Sequence, residues 1–174
     1  MADFFDDLKG HITPIDKKEV DEFKVLVAEE AFMAEHADRE NFSEKFPPEL
    51  AGVIAGVGAG AVAVGAVFAA FAGMSGAEIM AALASFGVAG AVGGMASIAA
   101  VVAAPVVLVG GGAFYVANQN KLGHELERLF KESLKLEKGL ADDERENVKG
   151  LVLATQAYRK RLADKHHDLR AFTN

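Results

Sequence analysis

Apolar positions recur at helical steps near both ends of the chain and run almost unbroken through its middle. Val20, Phe23, Val27, Ala31 and Ala34 are spaced three and four apart, which predicts an amphipathic helix. Thr13 is its expected N-cap and Pro14 its first helical residue, with Asp16 and Glu19 favouring the positive end of the dipole. "FPPEL" ends this zone, because Pro47 and Pro48 cannot continue a helix but can begin the next. At the other end Leu122, Leu126, Leu129, Leu136 and Leu140 define one apolar stripe, widened by Phe130 and Leu134. After Gly139 a second helix is expected to open at "DDERE", where Asp143 and Glu146 have capping-box spacing. Val148, Leu151, Tyr158, Leu162 and Leu169 carry its apolar face, and the short return predicts an antiparallel helical pair.

Between these arms, Leu50 to Asn120 hold one charged residue, Glu78, in 71 positions. Uncharged runs of 28 and 42 residues exceed the roughly 18 that make a transmembrane candidate. Three helices fit: one over 50–72, one beginning at "GAEIMAALASFG" and broken by Gly93–Gly94, and one over 95–118 kinked at Pro105. The expected fold class is therefore all-α, with two or three central Gly/Ala-rich hydrophobic helices flanked by amphipathic ones. The zones are 1–47, an acidic N-terminal arm; 48–118, a membrane-inserting region; and 119–174, a C-terminal helical hairpin.

Glycine costs a helix interior about 1 kcal/mol relative to alanine, so Gly52, Gly56 and Gly60 at a strict four-residue interval need a reason. In lipid, helices associate through close backbone contact, and small residues every four positions permit it. The spacing predicts a helix-packing or oligomer interface at Gly52, Gly56 and Gly60, continued by Gly65 on a neighbouring face and repeated at Gly90 and Gly94. A tightly packed Gly/Ala-rich core helix of a soluble protein has the same pattern. Residues 50–72 contain nine Leu, Ile, Val or Phe, worth together roughly −3 to −5 kcal/mol on insertion. Such a segment inserts marginally, and the amphipathic arms are available to cover it in solution. Ser75 and Glu78 fit a capping box at the start of the second apolar helix; the other reading of Glu78 is a pore-lining carboxylate.

Charge divides along the same lines. Residues 1–49 hold 6 Lys and Arg against 14 Asp and Glu, whereas 118–174 hold 12 against 10. No basic run interleaves with aromatics, so no nucleic-acid partner is expected. Cysteine is absent, which removes disulfides, thiolate catalysis and cysteine-bound zinc. "MADFFDDLKG" is acidic rather than a basic stretch with an apolar run, so no Sec signal peptide is read there. His36 lies in a carboxylate-rich segment, but Met33 stands where an ExxH motif needs Glu. "KHHD" at 165–168 places adjacent histidines about 100° apart on a helix. No G-x-S-x-G, P-loop or H-E-x-x-H occurs, and no catalytic residue, metal or cofactor is assigned; the chain is not read as an enzyme.

Residues 75–115, with Ser75-Gly76-Ala77-x-Ile79, the Gly93–Gly94 pair and the alanine-rich stretch after it, resemble the interferon-inducible small hydrophobic protein family and its bacterial look-alikes. The resemblance implies an organelle or bacterial membrane protein. The overall plan is similar in architecture to colicin-type pore-forming domains, in which amphipathic helices shield a hydrophobic hairpin. The leading expectation is a membrane-inserting, self-associating α-helical protein, pore-forming or toxin-like, made as a soluble cytoplasmic form and partnered by the lipid bilayer and by copies of itself. A monotopic coat protein and a soluble helical assembly protein are the alternatives.

Overall fold

A computed structural model describes residues 13–60, 64–85 and 111–172. The predicted sites Gly90, Gly94 and Pro105 lie outside the described residues. The protein is all-α: the described residues form six α-helices and a short 3-10 segment, with no strand among them. They are α1 (Lys17–Glu35), α2 (Pro48–Gly58), α3 (Gly65–Gly73), α4 (Gly76–Ser85), α5 (Gly111–Gly139) and α6 (Glu146–Lys165), followed by the 3-10 segment His167–Phe172.

Helix α1 starts later than Thr13 and Pro14 imply. Asp16 is the N-cap: its carboxylate accepts the Lys18 N–H at 3.0 Å, while Glu19 accepts the Asp16 N–H at 3.4 Å. This is a capping box, which satisfies two otherwise orphaned donors, and Asp accepts such a bond at lower cost in side-chain entropy than a longer residue would. The apolar stripe read from the sequence also understates α1. Ala34 is exposed, but Val25, Leu26 and Met33 are buried together with Val20, Phe23 and Val27. Helix α1 is buried on several sides because α4, α5 and α6 all pack against it.

The arms meet at an aromatic cluster. Phe23 of α1 lies edge-on to Phe130 of α5 with centroids 5.3 Å apart and stacks on Tyr158 of α6 at 5.9 Å. Tyr158 also meets Phe68 and Phe71 of α3 at 5.3 and 5.7 Å. Each such ring contributes about 1.5–3 kcal/mol on full burial, so this cluster ties the apolar zone to both arms.

The span predicted as one helix over 50–72 is instead α2 and α3. Pro48 begins α2 at a position where its missing N–H costs nothing. The helix ends at Ala59 and Gly60, whose N–H groups return to Ala55 and Val57 carbonyls, with Gly60 at φ 73°. That left-handed conformation carries little cost for glycine and stops the helix. Gly60 is thus a helix terminator rather than a third rung of a groove.

Helix α6 departs from its expected start as well. Its N-cap is Arg145, with no side-chain cap bond. Asp143 instead holds the Arg145 N–H at 3.0 Å and its guanidinium at 2.5–3.1 Å. The rest of the guanidinium donates to the Met33, His36 and Arg39 carbonyls at 3.0, 3.0 and 2.6 Å. One side chain therefore closes the C-terminal end of α1, where helix carbonyls lack partners and cations are favoured. Helices α5 and α6 touch each other little; each packs mainly on other helices, α5 on α1 and α6 on α2. Helix α5 also runs unbroken through the expected boundary at 118–119.

Candidate functional site

Helices α2 and α6 approach each other closely through glycines other than those singled out by spacing. A Cβ placed on Gly150 would lie 2.1 Å from the Ile54 carbonyl oxygen and 2.7 Å from the Gly58 nitrogen. One on Gly58 would lie 1.8 Å from the Glu146 carbonyl oxygen. Backbone meets backbone here, which only paired glycines allow. Around the crossing, Leu50, Ile54 and Val57 of α2 and Val148, Leu151 and Ala154 of α6 are buried.

The predicted groove points elsewhere. Cβ positions at Gly52, Gly60 and Gly65 meet nothing within 4 Å; these three glycines are exposed and Gly56 is half-buried. The large side chains of α2 fix its inward face at Leu50, Ile54 and Val57, which turns Gly52 outward. A signal for the real crossing was present: Gly58 follows Ile54 by four residues, and Gly150 sits between the apolar Val148 and Leu151. Neither belongs to a repeated GxxxG, so spacing passed over both.

Beyond Glu49 in the first turn of α2, the outward faces of α2 and α3 carry no charge. Helix α2 exposes Gly52 and Ala55, and α3 exposes Gly65, Ala69 and Ala72, while Val67 and Phe71 turn inward. Size rather than polarity distinguishes the two faces. The four-residue interval and the small-residue rule together place Ala and Gly where a water-facing helix ordinarily carries Lys and Glu. Among the described residues no single helix is long and apolar enough to cross a membrane. Helix α3 with α4 as far as Leu83 has the length and composition of a span but is bent by 102°. The bend is set by Ser75 and Glu78. The Ser75 N–H donates to the Glu78 carboxylate at 2.5 Å and the Glu78 N–H to the Ser75 hydroxyl at 3.2 Å, the reciprocal bonds of a capping box. Glu78 is exposed in this arrangement.

A buried polar layer, not foreseen from the sequence, lies where α1, α5 and α6 meet. Arg159 pairs through both terminal nitrogens with Glu137 and donates to the Ser133 hydroxyl at 2.8 Å. Glu137 also accepts from Gln156 at 3.3 Å, so its oxygens are used. Glu30 faces this pair fully buried, and neither of its carboxyl oxygens has a hydrogen-bond partner among the described residues. The neighbouring Thr155 hydroxyl is donated to the Leu151 carbonyl at 3.0 Å. Burial, and then the charge of Glu137, push the Glu30 carboxyl well above the usual range, against the weaker pull of Thr155 and Arg159. Burial in this layer thus favours the protonated form of Glu30. The adjacent Glu29 accepts the Ser43 N–H at 2.7 Å and its hydroxyl at 2.8 Å, but burial still raises it. Periodicity gave no hint of this layer, since a charged residue in an amphipathic helix reads as solvated.

His36 and His166 serve structural ends. His36 stacks on Phe32 at 4.3 Å. His166 is buried, with Nδ1 3.1 Å from the Thr13 carbonyl and Nε2 3.2 Å from Glu19. Glu19 also takes a bond from Lys165 at 2.6 Å. Burial raises the Glu19 carboxyl, but the His166 and Lys165 bonds, the Lys165 charge and the Asp16 N–H outweigh it and hold it at about 2. No group of three or more His, Asp or Glu among the described residues is placed to hold a metal ion. Comparison with protein-family models, curated proteins and solved structures finds no match to this chain.

Proposed function

We propose that the chain is a membrane-associating, self-associating helical protein whose central zone enters a bilayer while α1, α5 and α6 cover it in solution. The observation that carries this reading is the outward surface of α2 and α3, which beyond Glu49 in the first turn of α2 is uncharged and exposes Gly52, Ala55, Gly65, Ala69 and Ala72. A helix packed in the core of a water-soluble protein needs charge on its free face; these faces suit lipid, or a second copy of themselves. The marginal side-chain insertion energy fits a zone that leaves water only when its cover parts. Release of contents from vesicles is the expected activity of the assembled form. The resemblance of residues 75–115 to small hydrophobic membrane proteins points the same way.

The test uses the exposed faces. Ala55→Asp and Ala69→Asp together change nothing buried and cost the fold only helix propensity, about 0.5–0.7 kcal/mol each. At a bilayer centre each Asp costs about 2.5–3.5 kcal/mol, which together outweighs the whole favourable side-chain term. The variant is expected to keep its helical circular dichroism and lose flotation with vesicles and dye release. Undiminished flotation refutes insertion of these helices. A discrete soluble oligomer that ignores vesicles replaces the proposal with a soluble assembly.

A further inference from the structure

The outward face of α5 sorts its charges by sign. Between Lys121 and Lys138 the exposed residues are Lys121, His124, Arg128, Lys131, Lys135 and Lys138, every one basic. Most carboxylates of the same stretch are drawn back: Glu125 and Glu127 are half-buried and Glu137 is buried, while the Glu132 side chain is 43 % exposed beside Arg128. At 3.6 residues per turn the six basic positions fall within an arc of about 100°, and the row is about 26 Å long. Glu125 is engaged by Lys24 of α1 and Glu137 by Arg159 of α6. Only Glu127 and Glu132 answer the row, through His124 and Lys131 and through Arg128. Lys121, Lys135 and Lys138 make no ion pair among the described residues. A helix that merely faces water mixes both signs on its outer face, as α6 does with Lys149, Leu153, Gln156, Lys160 and Asp164 exposed.

The row also has a telling position. Lys121 is the first charged residue after the 42-residue uncharged run, so the basic face begins where the proposed inserting zone ends. Basic clusters at that place, or along an amphipathic helix lying on a surface, are drawn to anionic headgroups. From charge and placement together we infer that the outer face of α5 docks on an anionic lipid surface. This rests on the membrane reading above and names the lipid class it uses.

Full-length protein is sedimented with vesicles of phosphatidylcholine alone and with vesicles that also contain phosphatidylserine, at low and high salt. The comparison variant carries Lys121→Gln, Lys135→Gln and Lys138→Gln, exposed positions where glutamine suits a helix; its circular dichroism is expected to match. Each basic residue near an anionic surface contributes about fivefold to binding. The variant is therefore expected to bind anionic vesicles on the order of 100-fold more weakly and phosphatidylcholine vesicles unchanged, and salt is expected to weaken wild-type binding to the anionic ones. Equal binding of both proteins to anionic vesicles, or no anionic preference in the wild type, overturns the inference and leaves the membrane reading standing. Absence of binding to either vesicle overturns both. Lysine-dependent retention of single-stranded nucleic acid, without anionic preference among vesicles, overturns the docking assignment too.

Discussion

Gly150→Ala sets two physical effects against each other at one atom. Local helix propensity favours alanine by about 1 kcal/mol at an interior helix position. The crossing opposes it, because the new Cβ would lie 2.1 Å from the Ile54 carbonyl oxygen and 2.7 Å from the Gly58 nitrogen. Ordinary contact begins above 3 Å, so α2 and α6 must separate by about 1 Å, and both obstacles are backbone atoms that cannot swing aside. Such a shift loosens Leu50, Ile54 and Leu151, each fully buried and worth about 1.5–3 kcal/mol. Overpacking in comparable settings costs about 1–3 kcal/mol, so against the propensity gain we expect a net loss of up to about 2 kcal/mol. For a domain of this length that lowers the melting temperature by up to about 8 °C. The paired control is Gly52→Ala, an interior helix glycine with nothing within 4 Å of its Cβ position, expected to gain up to about 1 kcal/mol. Thermal and urea unfolding followed by circular dichroism reads both variants. A Gly150→Ala protein as stable as Gly52→Ala would refute the crossing as the site of close approach.

Glu30→Gln removes an acid whose folded form binds a proton that the unfolded chain releases above about 4.5. Wild-type stability then falls as pH rises from that value, by up to about 1.4 kcal/mol per unit, and the variant is expected to lose this slope and to be the more stable at neutral pH; parallel urea midpoints from pH 5 to 8 would contradict it. Glu19 has the opposite sign: held at about 2 against 4.5, it stabilises the fold above 4.5 and that contribution is lost as pH falls towards 2. Glu19→Gln should flatten the acid limb of the same stability profile, and an unaltered limb would remove the Glu19, His166 and Lys165 contact from the account. Arg145→Lys keeps the charge but cannot reach three carbonyls at once; a loss of about 2–4 kcal/mol is expected in denaturant unfolding, and full rescue by lysine would show that charge alone matters.

The sequence determined the helical class and most of the inward faces of the arms, because those follow from a local period. Leu122, Leu126, Leu129, Val148, Leu151, Tyr158 and Leu162 are buried at the positions their spacing selects, and Ser75 with Glu78 form the cap their interval implies. What the period could not reach was which helix lies against which. A repeated glycine spacing marks several equivalent faces, and the choice falls to the largest side chains, which here turned Leu50, Ile54 and Val57 inward and left Gly52 outside. Gly60 had no special weight as a member of a series, yet its left-handed backbone ends the first predicted span, 50–72, short of its expected length. Glu30 and Arg145 read as surface charges along the chain. They become a buried acid and a helix-end clamp only because α5 and α6 close over α1, a contact between residues more than a hundred positions apart that no local pattern encodes.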